Sequence, residues 1–134
     1  MTNKNILIAI CALGFLAVAM GAFGAHALKP YLNDYQARIW EKAVAYQFYH
    51  VLAAMIAFVL YDVKGVRYLL TAAYFFLVGV VLFSGSLYAL ATVDMTGLPK
   101  EVFGPVTPFG GLFFLMGWGT MIFAVVKYSK LSEK

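Results

Sequence analysis

His26, Gln47, His50, Ser84 and Ser86 stand inside long stretches of otherwise apolar sequence, with Tyr46, Tyr88 and Thr107 in the same stretches. Groups of these types could do three kinds of chemistry. A serine beside a histidine could act as nucleophile and base. Two histidines on consecutive helices at similar depth could hold a haem between them. A pocket of small polar groups could accept a lipid headgroup or a quinone. The first chemistry wants an acid to orient the imidazole and a nucleophile elbow, and these stretches contain neither. No catalytic residue is therefore assigned, and the protein is expected not to be an enzyme. The second rests on two ligands with no spacing motif, so no cofactor is assigned. The single cysteine, Cys11, permits no internal disulfide and no cysteine-based metal site, and no metal site is assigned. The blandest reading is a hydrogen-bonded network that fixes helix register, with His50 and Gln47 bonding to Ser84, to Ser86 or to backbone near Gly85.

The elements that must position these groups are four apolar runs, over residues 6–28, 43–61, 68–93 and 107–126. Each is at or above the ~18 residues that favour a membrane span over a buried helix. None contains Asp, Glu, Lys or Arg. Hydrophobic residues make up 63% of the 134 and charged residues 12%, against about 45–50% and 25% in soluble domains. In water such a chain would expose too much apolar surface. The expected fold is all-α: a polytopic membrane protein, a single four-transmembrane-helix bundle with helices near 5–28, 34–62, 67–93 and 107–128. The first run, longer than a usual signal-peptide core, is expected to be retained as a helix.

Punctuation residues set the helix ends. Lys29-Pro30 should close the first helix, because proline disfavours helix in the residue before it. Asn33 and Gln36 have capping-box spacing at the start of the second. Asp34, Arg38 and Glu41 can pair along one face there, and Trp40 suits a headgroup layer. Residues 94–106, with two glycines and two prolines, read as the longest loop. Thr107-Pro108 then reads as N-cap and first helical residue of the fourth helix. Small residues suggest close helix contacts at Gly14, Ala17, Gly21, Ala25, Gly79, Gly110 and Gly117. They also motivate an expectation of self-association or of a partner within a membrane complex.

Four crossings put both termini on one side. That side would hold six basic residues (Lys4, Lys64, Arg67, Lys127, Lys130, Lys134) and the other four. The positive-inside rule then expects both termini in the cytoplasm and the protein in a bacterial inner membrane. The net charge of +4 serves topology; no basic-aromatic patch suits nucleic acid, and membrane lipids are the expected partners. In this topology His26, Gln47, His50, Ser84, Ser86, Tyr88 and Thr107 all fall in the outer half. On the second helix Ala43, Tyr46, Gln47, His50, Ala53, Ala54 and Ala57 share one face, expected to look into the bundle.

Five motifs in order carry a resemblance. They are Gly21-Ala22-Phe23-Gly24-Ala25-His26-Ala27-Leu28; Trp40 followed by Tyr46-Gln47-Phe48-Tyr49-His50; Leu82-Phe83-Ser84-Gly85-Ser86-Leu87-Tyr88; Thr107-Pro108-Phe109-Gly110-Gly111; and Gly117-Trp118. Together they resemble the YgdD/YwdK family of small bacterial membrane proteins, catalogued as a domain of unknown function. The resemblance implies a four-helix inner-membrane protein built around His26, Gln47, His50, Ser84, Ser86 and Thr107. It supplies no activity or cofactor. Residues 94–106 look longer than the family leads one to expect.

Overall fold

The computed structural model describes residues 3–129. Among them are five α-helices: α1 Asn3–Ala25, α2 Asp34–Lys64, α3 Arg67–Ala91, the short α4 Val93–Thr96, and α5 Lys100–Ser129. No strand occurs among the described residues. The four long helices are apolar and long enough to cross a membrane.

The order of packing follows from side-chain size. α2 lies between α1 and α3, and α3 lies between α2 and α5. The α2–α3 seam is built of Ala53, Ala54, Ala57, Ala72 and Ala73, with Phe76 filling what the alanines leave. In lipid, close contact of small residues replaces the hydrophobic drive of water. The central pair is accordingly the best covered: 50% of the most apolar stretch of α3 is buried, against 17% in α1.

Two bonds fix the register of α1 on α2. Trp40 Nε1 donates to the Met20 carbonyl at 2.9 Å, and Gln47 Nε2 donates to the Leu13 carbonyl at 2.8 Å. The helices therefore run antiparallel, with Met20 level with Trp40 and Leu13 level with Gln47. α2 itself is one continuous helix of 31 residues, about 46 Å long. Its first turns stay within the bundle. The Asn33–Gln36 capping box forms, both of its bonds at 3.0 Å, and Gln36 Nε2 also donates to Asp94 Oδ2 at 2.6 Å. At its other end Gly65, at φ 68°, takes the left-handed conformation that ends the helix and donates to the Tyr61 carbonyl.

Several expectations are corrected. The first helix spans Asn3–Ala25, not 5–28; the chain turns through His26 and Ala27 so that Leu28 can bury beside Trp40, and a 3₁₀ turn follows at Lys29–Tyr31. The third helix ends at Ala91, not 93, where Thr92 Oγ1 bonds back to the Tyr88 carbonyl at 2.9 Å. The expected loop over 94–106 is mostly helical, and the last helix starts at Lys100 rather than Thr107. Pro105 and Pro108 lie inside it. They are its sixth and ninth residues, past the four amides that have no intrahelical partner, so each forgoes one backbone bond, to the carbonyls of Glu101 and Gly104. Asp34, Arg38 and Glu41 form no ion pair among the described residues; all three side chains are exposed. Trp40 is only 4% exposed, so its ring packs inside the bundle rather than facing headgroups. Cys11 is exposed on α1.

Candidate functional site

The polar groups of the spans meet in two places, both nearer the end of the bundle that holds Trp40. In the first, Gln47 ties three helices together. Its amide nitrogen reaches Leu13 on α1, and its oxygen accepts the Tyr88 hydroxyl proton from α3 at 2.8 Å. Ser84, 1% exposed, donates to the Ala43 carbonyl on α2 at 2.8 Å. In the second, the Ser86 and Thr107 hydroxyls join α3 to α5 at 2.7 Å, while Ser86 also donates to its own-helix Phe83 carbonyl. Every fully buried side-chain nitrogen or oxygen among the described residues has a hydrogen-bond partner, as a group shut away from water requires.

His50 stands apart from these hydroxyls. Its Nδ1 donates to the Tyr46 carbonyl one turn back at 2.8 Å. Its ring lies flat on Phe114, with centroids 3.5 Å apart and planes 9° from parallel, among Tyr46, Phe76 and Trp118. The imidazole is thus held by rings, and neither serine is its partner. The expected bonds from His50 and Gln47 to Ser84 or Ser86 do not form. The serines choose backbone carbonyls or Thr107 instead, because register brings those acceptors within reach.

His26 does not join the cluster. It is exposed in the turn after α1. By the α1–α2 register it is level with the start of α2, whereas His50 is level with Ile10. The two histidines are then separated by about 16 residues of helix, about 24 Å along the bundle. One haem cannot bridge that distance, so the paired-histidine reading is overturned. Tyr46, expected to face inward with the rest of its helix face, is 38% exposed and covers Phe83. Ala43, Gln47, His50, Ala53, Ala54 and Ala57 are buried.

The glycines and alanines singled out for close contact are mostly used inside the chain. A side chain at Gly14 would meet Val51, and one at Gly21 would meet Val44, at 3.5 and 3.4 Å. Gly24 makes the socket for the Trp40 indole, Gly79 faces Phe114, Gly110 faces the Phe83 backbone and Gly117 faces Phe76. Ala17 is fully buried, whereas Ala25 is exposed. Gly21 is therefore no evidence for contact between copies.

Sequence reasoning missed two things here: the Trp40–Gly24 socket, and an open groove bordered by Arg38 and Lys42. The signal for the groove was present, two cations one helical turn apart at the edge of an apolar run.

The Gln47 bridge gives a direct test. Gln47→Leu strands the Tyr88 hydroxyl and frees α1 from α3, and it should cost about 1–2 kcal/mol in detergent unfolding. Tyr88→Phe alone should cost about 0.6 kcal/mol and nothing further in the Gln47→Leu background. Additive losses would mean that the two side chains do not share this bond.

Four apolar helices with internally satisfied polar groups define a multi-pass integral membrane protein. Residues 20–111 match the family model described as "Protein of unknown function (DUF423)", and the chain belongs to that family. It is 40% identical over 124 residues to the UPF0382 membrane protein YwdK of Bacillus subtilis, covering 92% of this chain and 95% of the relative. It is 33% identical over 130 residues to the UPF0382 inner membrane protein YgdD of Escherichia coli K12, covering 97% and 95%. No solved structure matches.

Proposed function

We propose that this protein is a non-enzymatic structural or accessory component of the cell envelope, acting through contacts made within the bilayer. The observation that carries this reading is how the potentially reactive groups are engaged. Ser84 is bonded to a backbone carbonyl of α2, Ser86 to Thr107, and His50 to its own helix beneath a stacked phenylalanine. The two serine bonds tie helices together, and among the described residues no serine–histidine pair is assembled. The alanine-lined α2–α3 seam, closed by Phe76, speaks against the alternative of a small transporter or channel, which needs a water path.

The outer helices supply surface for association. α1 presents Leu7, Ile8, Phe15 and Val18, and α5 presents Leu112, Leu115, Ile122 and Phe123. Either a second copy or another membrane chain can cover these ridges. Gentle extraction followed by native mass measurement should find a defined multimer or a stoichiometric membrane partner. A bare monomer under conditions that preserve other complexes of the same membrane would sink the proposal.

A second reading, binding of a lipid or quinone, loses its haem variant to the histidine separation. The lipid variant is favoured by one observation, the groove at the Trp40 end.

A further inference from the structure

α5 packs chiefly against α3, and it meets α2 through the side chains of Phe114 and Trp118 around His50. Where its first half draws close to α3, through Gly110 on Phe83 and Thr107 on Ser86, an open groove of about 810 Å³ is left on the α2 side. Its rim carries Arg38, Glu41 and Lys42; its walls descend through Tyr46, Tyr49, Phe83 and Leu87. The floor is set by the Tyr46 ring stacked on Phe83, with centroids 4.8 Å apart.

Three features of this groove point to one kind of occupant. It straddles the polarity boundary of α2: Lys42 is the last charged residue before a run without charge to residue 61, and the groove continues past it to Tyr49. An occupant must therefore be amphiphilic, with a polar head level with Lys42 and an apolar tail alongside the aromatic wall. The rim holds two cations and one carboxylate, a net positive charge. The cations are exposed and form no ion pair among the described residues. Glu41 also borders the neighbouring groove between α1 and α2, which Lys29 lines as well, so the carboxylate is shared between two grooves while Arg38 and Lys42 belong to this one. Basic side chains at the membrane surface attract acidic headgroups, and the arginine fork suits phosphate.

We infer that this groove seats one acidic phospholipid, its phosphate held by Arg38 and Lys42 and one acyl chain laid over Tyr46, Tyr49 and Phe83. The inference is independent of self-association: a monomer could hold the lipid, and a multimer could lack it.

The test uses the full chain in neutral detergent with added phosphatidylglycerol, or phosphatidylcholine of the same acyl chains. Phosphatidylglycerol should raise the melting temperature by several degrees and leave a single lipid adduct in native mass spectra; phosphatidylcholine should do neither. The double variant R38Q/K42Q should melt like the lipid-free wild type and lose both effects, whereas K29Q/K100Q, with the same charge removed elsewhere, should keep them. Ala45→Phe, which fills the groove while keeping both cations, should also lose the adduct. Equal effects of the two lipids, an adduct that survives in R38Q/K42Q or Ala45→Phe, or loss of the adduct in K29Q/K100Q would each overturn the assignment. So would the same rise from inorganic phosphate alone, which would show a free anion site.

Discussion

Gly110→Ala should disrupt the α3–α5 pair and cost about 3 kcal/mol, the upper end of what overpacking usually costs. The reason is what the new methyl would meet. At Gly110 the missing Cβ points at the backbone nitrogen of Phe83 and at its Cα and Cβ, both 2.7 Å away. Backbone cannot rotate aside as a ring can, so one helix must move bodily. Moving it would stretch the Ser86–Thr107 bond, which joins the same two helices one turn away. Gly79 meets α5 from the α3 side, with the Phe114 ring and the Gly110 carbonyl against it. The contact is therefore reciprocal. In lipid, where no hydrophobic drive holds helices together, close approach of this kind is the main attraction. The matched control is Gly119→Ala, where a methyl meets nothing within 4 Å; it should lie within about 0.5 kcal/mol of wild type. Reversible unfolding in detergent reads both. A Gly110→Ala protein that melts with wild type would mean that the two backbones do not approach as described.

Gly117 and Gly79 form a graded series with Gly110. Both face phenylalanine rings, Phe76 and Phe114 respectively. A ring can turn, but Phe114 is stacked on His50 and Phe76 is fully buried in the α2–α3 seam. Their alanine variants should fall between Gly110→Ala and Gly119→Ala. This also explains why an imidazole sits in the bundle at all. The His50 ring is a flat plate that supports the Phe114 ring filling the slot at Gly79, while its N–H is satisfied by Tyr46 on its own helix.

The four spans were legible because run length and the exclusion of charge are local properties of sequence, and bilayer thickness converts them directly into helices. The capping box at Asn33 and Gln36 was legible for the same reason: both partners lie within one turn. The buried face of α2 was readable from the small and polar residues at helical spacing, apart from Tyr46 at its edge. What could not be read depends on register between helices. The partner of Ser84 is a backbone carbonyl on α2, and nothing about Ala43 as a residue type marks it as an acceptor. The depth of His50 relative to His26 needed the Trp40–Met20 and Gln47–Leu13 bonds. The prolines misled for a different reason. Pro108 after Thr107 has the pattern of a helix start, but Lys100 already begins the helix, which continues through both prolines at the loss of one backbone bond each. Trp40 misled through its usual role: tryptophan favours the interface, and only the absent side chain of Gly24, sixteen positions earlier, gives it a socket.

That socket carries the second large effect. Trp40→Ala should cost about 3–5 kcal/mol, the range for emptying a buried tryptophan site, because one ring closes the Trp40 end of the bundle. Its N–H bonds the Met20 carbonyl on α1, its face lies 4.7 Å from the Tyr88 ring on α3, and Phe23 stands 6.3 Å away. Leu28 and Ala91 complete the same cluster. Trp40→Phe keeps a ring and loses the N–H, so it should cost about 1 kcal/mol for the hydrogen bond plus a smaller packing loss. The decisive comparison is with Gly24→Ala. In wild type the added methyl collides with the indole nitrogen and its neighbouring carbon, and the protein should be destabilised. In the Trp40→Ala background the collision partner is gone, so the same methyl should be neutral or mildly stabilising through its helix propensity. A strong coupling between the two positions is the signature of a socket. Equal cost of Gly24→Ala in both backgrounds would show that the glycine serves something other than Trp40. Hydrogen exchange localises the damage: Trp40→Ala should loosen the last turns of α1 and the first turns of α2, while the α3–α5 contact at Gly110, held by different residues, keeps its protection.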